Sequence, residues 1–167
     1  MKTLKIVAFS LLVILSANLS AQEQQQDNRN LRKERVASAI RASIDSGNIE
    51  IIIDKVIPKS RQIITVNREY YLIIRKDSLI CYLPYIGKSD SPSVAPTSER
   101  FEFKEEKISV TKCEPRPGIH QLKFNTRADI GIETFSFTIT IFESGFCTIN
   151  LAPSSRDYII YQGTIKF

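Results

Sequence analysis

Chemistry in this chain has few residues to draw on. His120 is the sole histidine, and because imidazole titrates near neutrality it is the natural candidate for a poised acid or base. Its strand parity matches that of Leu122 and Phe124, so the expectation is a histidine packed on an apolar face or rim. No second histidine exists to complete a two-histidine site, and a metal would need carboxylates gathered from distant strands. Neither a metal nor a cofactor is expected. Cys81, Cys113 and Cys147 permit three single pairings and always leave one thiol over. Cys147 alternates with Ile149 and Leu151, which points it into a core as an inert thiol, with a disulfide as the alternative. A catalytic cysteine would need His120 as its base, and no feature of the sequence brings the two together. Glu105 and Glu106 are adjacent, so in a strand they point to opposite faces and make a poor carboxylate dyad. Glu102 and Glu106 read as solvated. The six glycines form no spaced phosphate loop, and Gly-x-Ser-x-Gly is absent. The chain is therefore expected not to be an enzyme.

Aromatic residues offer a different kind of site. Tyr82, Tyr85, Phe101 and Phe103 flank a stretch from Pro84 to Arg100 that holds three prolines and several serines, a composition that cannot sustain a strand ladder. A loop this long in a compact domain is a lid or an insertion. Tyrosines at its base suit a small apolar ligand or a sugar, since each has a broad ring with a hydroxyl at its tip. The alternative is a fixed bend at Pro84 and Gly87, with Tyr85 covering the edge of the core.

Elements must position these residues. Val36, Ala39, Ile40, Ser43 and Ile44 recur at three- and four-residue intervals, which predicts one amphipathic helix from Leu31 to Ser46-Gly47-Asn48, where Gly47 can close the helix in a left-handed conformation. After Asn48 the period is two. Ile49, Ile51, Ile53 and Ile57 are expected on one face, followed by strands at Gln62–Val66 and Tyr70–Arg75. A short break at Lys76-Asp77 leads into Ser78–Leu83. Further strands are read at Phe101–Lys104, Lys107–Cys113, Ile119–Asn125, Glu133–Glu143, Phe146–Leu151 and Tyr158–Phe167. In Glu133–Glu143 the apolar Phe135, Phe137, Ile139 and Ile141 alternate without interruption with Thr134, Ser136, Thr138 and Thr140, so one face is buried and the other wet. About nine strands behind one N-terminal amphipathic helix, with short connections, predict a mainly β fold: an antiparallel β-sandwich or β-barrel.

The length of 167 residues suits a single domain. Lys2 and Lys5, an apolar run from Ile6 to Leu15 and small residues up to Ala21 have the layout of a secretory signal, with cleavage expected after Ala21. The run is half the roughly twenty residues a spanning helix needs, so no membrane segment should remain after cleavage. Residues 1–21 are thus read as signal, 22–30 as a polar flexible leader, and 31–167 as the β-rich domain. The implied destination is the periplasm or the exterior. Loss of Lys2 and Lys5 lowers the formal net charge from +5 to +3. The basic residues are scattered and form no stripe with interleaved aromatics, so no nucleic-acid partner is expected.

Tyr70-Tyr71-Leu72, Lys76-Asp77 and Leu83-Pro84-Tyr85-Ile86-Gly87, following Ser46-Gly47-Asn48 and followed by Tyr161-Gln162-Gly163-Thr164-Ile165, resemble in order the family called domain of unknown function 4251. The resemblance covers about Leu31 to Phe167 and implies a small exported protein of Gram-negative bacteria with a mostly antiparallel β body. It implies no activity. Ile86 stands where the family usually has an aromatic residue, and the residues after Gly87 are richer in serine and proline than the family pattern. The candidate ligand-binding residues are Tyr82, Tyr85, Ile86, Phe101, Phe103 and His120. The expected function is a non-enzymatic binding module for a small apolar or glycan ligand. The competing expectation is an envelope adaptor that docks another protein through a sheet edge or the Pro84–Arg100 loop.

Overall fold

The computed structural model describes residues 25–59, 62–87, 100–127 and 133–166. The chain divides into two compact units, Met1–Val36 and Ala37–Phe167. A helix, α1, covers residues 25–46, and within the first unit its residues 25–35 are exposed. The leader expected at 22–30 is therefore helical from residue 25. No glycine or proline interrupts 25–46, and the helix propagates back through Gln25 to Asn30 at a small cost per residue once the amphipathic part has nucleated it. In the second unit Ile40 and Ile44 are buried, as their four-residue spacing requires. Gly47 ends the helix with φ 71°, and its amide donates to the Ile44 carbonyl at 3.2 Å.

Ten strands follow among the described residues: β1 Asn48–Pro58, β2 Ile64–Thr65, β3 Tyr71–Arg75, β4 Ser78–Pro84, β5 Arg100–Glu105, β6 Thr111–Arg116, β7 Ile119–Arg127, β8 Thr134–Phe142, β9 Phe146–Pro153 and β10 Ile159–Ile165. They form one antiparallel sheet in the order β5-β4-β3-β1-β10-β9-β8-β7-β6, with β2 paired to β1. Six strand steps separate β5 from β8, roughly 29 Å in a flat sheet at about 4.8 Å per step. Yet the Phe101 and Phe103 rings of β5 lie 5.4 and 4.9 Å from the Phe135 ring of β8. The sheet must curl to bring them together, so the expected barrel-or-sandwich architecture is realised as a single curled half-barrel. Its concave face holds Leu72, Ile74, Leu83, Phe137, Ile139 and Tyr161, all buried. Tyr161 satisfies its hydroxyl by donating to the Pro84 carbonyl at 2.9 Å.

Two strands differ from the sequence pattern. On β1 the register against β10 shifts between Ile53 and Lys55, so Asp54 is an extra residue that reverses the alternation. Val56 is consequently buried and Ile57 only partly so, which removes Ile57 from the face it was expected to share with Ile49, Ile51 and Ile53. The strand expected at Lys107–Cys113 lies instead at Thr111–Arg116, and every residue of it is exposed. Pro115 inside it is tolerated because β6 is an edge strand.

Cys81, Cys113 and Cys147 are all free thiols; the first and last are buried and Cys113 is exposed. Burial raises the Cys81 thiol well above its ordinary range. Burial, with a smaller contribution from Asp54, pushes Cys147 from 9.0 up to about 12. In the folded protein iodoacetamide at mild pH should alkylate only Cys113, and all three thiols should react after unfolding; native-state labelling of Cys147 would contradict its burial. Because the unfolded chain releases the Cys147 proton first, its contribution to stability is complete below pH 9.0 and is lost as pH rises toward about 12. The slope is roughly 1.4 kcal/mol per pH unit, measurable by urea unfolding at alkaline pH.

Candidate functional site

The six candidate residues do not form one site. Register pairs Tyr82 with Glu102, while Phe101 pairs with Leu83 and Phe103 with Cys81, so Tyr82 faces away from the two phenylalanines. On that outer face its ring stacks with Tyr70 and Tyr71, each at 5.5 Å. The Arg100 guanidinium lies 5.2 Å from its centroid. Tyr85 packs edge-on against Phe101 at 5.1 Å on the inner side. Ile86 is half-buried just beyond the end of β4. The segment 88–99, most of the loop read as a lid, lies outside the described residues.

The inner aromatic group encloses an ion pair. Arg156 Nε lies 3.3 Å from Glu133 Oε2, with both side chains 10% exposed, and its guanidinium sits 5.1 Å from the Tyr85 ring and 5.3 Å from Phe101. Desolvation raises the Tyr85 hydroxyl above its ordinary range, partly offset by a hydrogen bond with the Asp157 backbone. Phe101 is buried beneath this arrangement, which fills the aromatic end with protein rather than leaving its rings open.

His120 lies elsewhere. It pairs with Ile141 on β8, six residues from Phe135, or about 20 Å along the strand at roughly 3.4 Å per residue. There it lines a cleft of about 430 Å³ with residues of α1, β6 and β7. The helix end supplies Arg41, Ile44 and Asp45, β6 supplies Lys112, Cys113 and Glu114, and β7 adds Gln121 and Leu122. Local structure fixes each of these. The Lys112 ammonium donates to the Ile44 carbonyl, and to that of Asp45 at 3.4 Å. A cation thereby sits on the negative end of the helix. Pro117-Gly118 turns β6 into β7 with Gly118 at φ 77°. The Gly118 amide donates to Glu114 Oε1 at 2.9 Å, while the Glu143 amide donates to the Gly118 carbonyl at 3.2 Å. Arg41 is ion-paired with Glu143.

Cys113 and His120 both border the cleft, but register sets their side chains on opposite faces of the sheet, so they are not a nucleophile and its base. The Cys113 thiol is directed to Gln121 Oε1 at 3.8 Å, and Gln121 Nε2 in turn reaches Thr140 Oγ1 at 3.5 Å. His120 Nε2 is buried and has no hydrogen-bond partner among the described residues. Activation of the thiol would require the two groups within hydrogen-bond reach. Among the described residues no cluster of three or more His, Cys, Asp and Glu is arranged to hold a metal ion. A strand expected at Lys107–Cys113 gives no sign of this cleft; the signal in the sequence is Pro117-Gly118, where a tight turn sets Cys113 opposite Gln121.

The model of the family described as domain of unknown function (DUF4251) matches residues 31–165. Among solved structures, a DUF4251 family protein from Bacteroides eggerthii DSM 20697 aligns with a TM-score of 0.57 at 10% identity, covering 78% of this chain and 86% of that one. At that identity the likeness is one of fold. No curated protein matches the chain.

Proposed function

The chain belongs to the DUF4251 family, and from that membership we propose that it is an exported, non-enzymatic binding module that holds a small polar ligand in the cleft between α1, β6 and β7. The observation that carries this reading is the cleft itself, about 430 Å³, in which Asp45, Glu114 and His120 stand beside the apolar Ile44 and Leu122; an apolar wall with a few polar groups is the usual lining of a small-molecule site. Volumes of 300–1,000 Å³ are typical of small-molecule sites. The aromatic end is less suited to this role, since Phe101 is buried and Tyr82 already stacks on two neighbouring rings. Export is supported by Lys2, Lys5, the apolar run and Ala21, all outside the described residues. Among the described residues no helix is long and apolar enough to cross a membrane.

A thermal-shift screen of small polar compounds, run on the parent protein and on an Asp45→Trp variant whose indole would fill the cleft, tests the proposal. Asp45 is exposed, so the variant should fold like the parent. At least one compound should raise the melting temperature of the parent saturably, and the variant should lose that effect. A screen with no stabiliser, or stabilisers equally effective on the variant, would overturn the reading.

The adaptor reading has one observation in its favour. Among the described residues β5 pairs only with β4, and unlike β6 it has neither a proline nor a register break to discourage strand addition.

A further inference from the structure

We infer that β5 joins two copies of this chain by antiparallel pairing about a two-fold axis at Phe103, an inference that does not depend on the cleft. Among the described residues β5 closes one end of the strand order and pairs only with β4, which leaves one row of its amide and carbonyl groups without a strand partner. The outward face of the strand carries Arg100, Glu102 and Lys104, and Glu106 follows one residue beyond its end. Ion pairs of 2.9 Å between Arg100 and Glu102 and of 3.4 Å between Lys104 and Glu106 keep the four on one side, with every side chain more than half exposed. Charge on an edge strand ordinarily repels a second strand. Here the signs alternate, so attraction or repulsion depends on register.

Antiparallel strands set residues of like parity opposite one another, so the two-fold axis passes through a residue position, and each position gives a different set of pairs. With the axis at Phe103, Arg100 faces Glu106 of the second copy and Glu102 faces its Lys104, each pair occurring twice by symmetry and none of like sign. An axis at Glu102 sets that residue against itself and Arg100 against Lys104. An axis at Lys104 sets that residue against itself and Glu102 against Glu106. Axes at Phe101 or Glu105 pair only a short part of β5. Directly opposed charges stabilise a strand pair when their signs differ and destabilise it when they match, so the register centred on Phe103 is selected over its neighbours. The inner face fits the same axis. Phe103 is half-buried and stacked on Phe135, and at the axis its ring meets its own copy as a cross-strand aromatic pair. A pairing of this kind closes on itself as a dimer. The cleft lies toward the opposite end of the strand order, at β6 and β7, so each copy keeps its own.

Sedimentation velocity of the protein at rising concentration tests the pairing. A single strand pair is a small interface, below the roughly 1,200 Å² of standard stable complexes, so the parent should be monomeric when dilute and shift to dimer as it approaches about 1 mM. Lys104→Glu and Glu102→Lys each turn the central pairs of opposite sign into pairs of like sign, and each variant alone should dimerise at least about tenfold more weakly. Both residues are exposed, so both variants should melt like the parent. Mixed together, the two variants again oppose unlike charges at both central positions and should form a heterodimer, followed through a fluorophore on Cys113, the exposed thiol. The charge-swapped Glu102→Lys/Lys104→Glu variant should recover the homodimer for the same reason. A parent that stays monomeric up to about 1 mM would overturn the inference and leave the edge to a strand of another protein. Single variants that dimerise as the parent does, or a mixture that fails to associate, would overturn it as well.

Discussion

Gly163→Ala should destabilise the protein by roughly 3 kcal/mol or more, the upper part of the range for overpacked sites. Gly163 lies on β10 opposite Ile53, immediately before the register shift that Asp54 introduces into β1. The backbones approach so closely there that a Cβ on Gly163 would overlap the Ile52 carbonyl oxygen and lie 3.0 Å from the Ile52 carbonyl carbon. These are main-chain atoms in the pair that joins the β3-β4-β5 half of the sheet to the β9-β8-β7-β6 half. Relief would require separating β1 from β10. Gly87→Ala is the milder comparison: its added Cβ would meet the Tyr85 hydroxyl at 2.9 Å and ring atoms beyond 3 Å, side-chain atoms rather than main chain, and the cost should stay below that of Gly163→Ala. Urea unfolding of the two variants measures the difference. A Gly163→Ala protein as stable as its parent would mean that β1 and β10 do not meet in this register.

Arg156→Ala should cost roughly 3–5 kcal/mol, the usual penalty for removing one partner of a buried ion pair. Glu133 and Arg156 are each 10% exposed on their side chains, and the guanidinium also covers Tyr85 and Phe101. Truncation strands the Glu133 carboxylate in a water-poor site and uncovers two aromatic rings. The double variant Arg156→Met/Glu133→Leu removes both charges and keeps apolar volume, so it should regain most of the loss. If the single variant loses less than about 1 kcal/mol, water reaches the pair and it behaves as a surface bridge. Recovery in the double variant would also identify the aromatic end as a structural cluster, in line with placing the ligand elsewhere.

The elements most legible in the sequence were those whose burial is decided locally. Phe135, Phe137, Ile139 and Ile141 are buried as their alternation required, and Ile40 and Ile44 face inward as a four-residue helical spacing demands. Alternation cannot register an inserted residue, so the sequence pattern hides the reversal at Asp54 and puts Ile57 on the face that Val56 occupies. Periodicity was also silent on β6, whose six residues are all exposed and therefore carry no apolar pattern. The order of the strands is non-local: β1 finds β10 across more than a hundred residues, and the curl that stacks Phe103 on Phe135 follows from that order. The candidate site suffered for the same reason. Tyr82, Tyr85, Phe101 and Phe103 are close in sequence or flank one loop, but strand parity divides them between two faces. His120, Asp45 and Glu114 meet only because the helix end and the β6–β7 turn are brought together in three dimensions.

The central claim is the location of the binding site, and chemical-shift mapping of a saturable ligand on isotope-labelled protein tests it most directly. The account predicts that the backbone signals of Asp45, Cys113 and Gln121 and the imidazole signals of His120 move together along one binding isotherm, while those of Tyr85 and Phe101 stay fixed. Shifts concentrated at Tyr85, Phe101 and Arg156, with His120 unmoved, would contradict it.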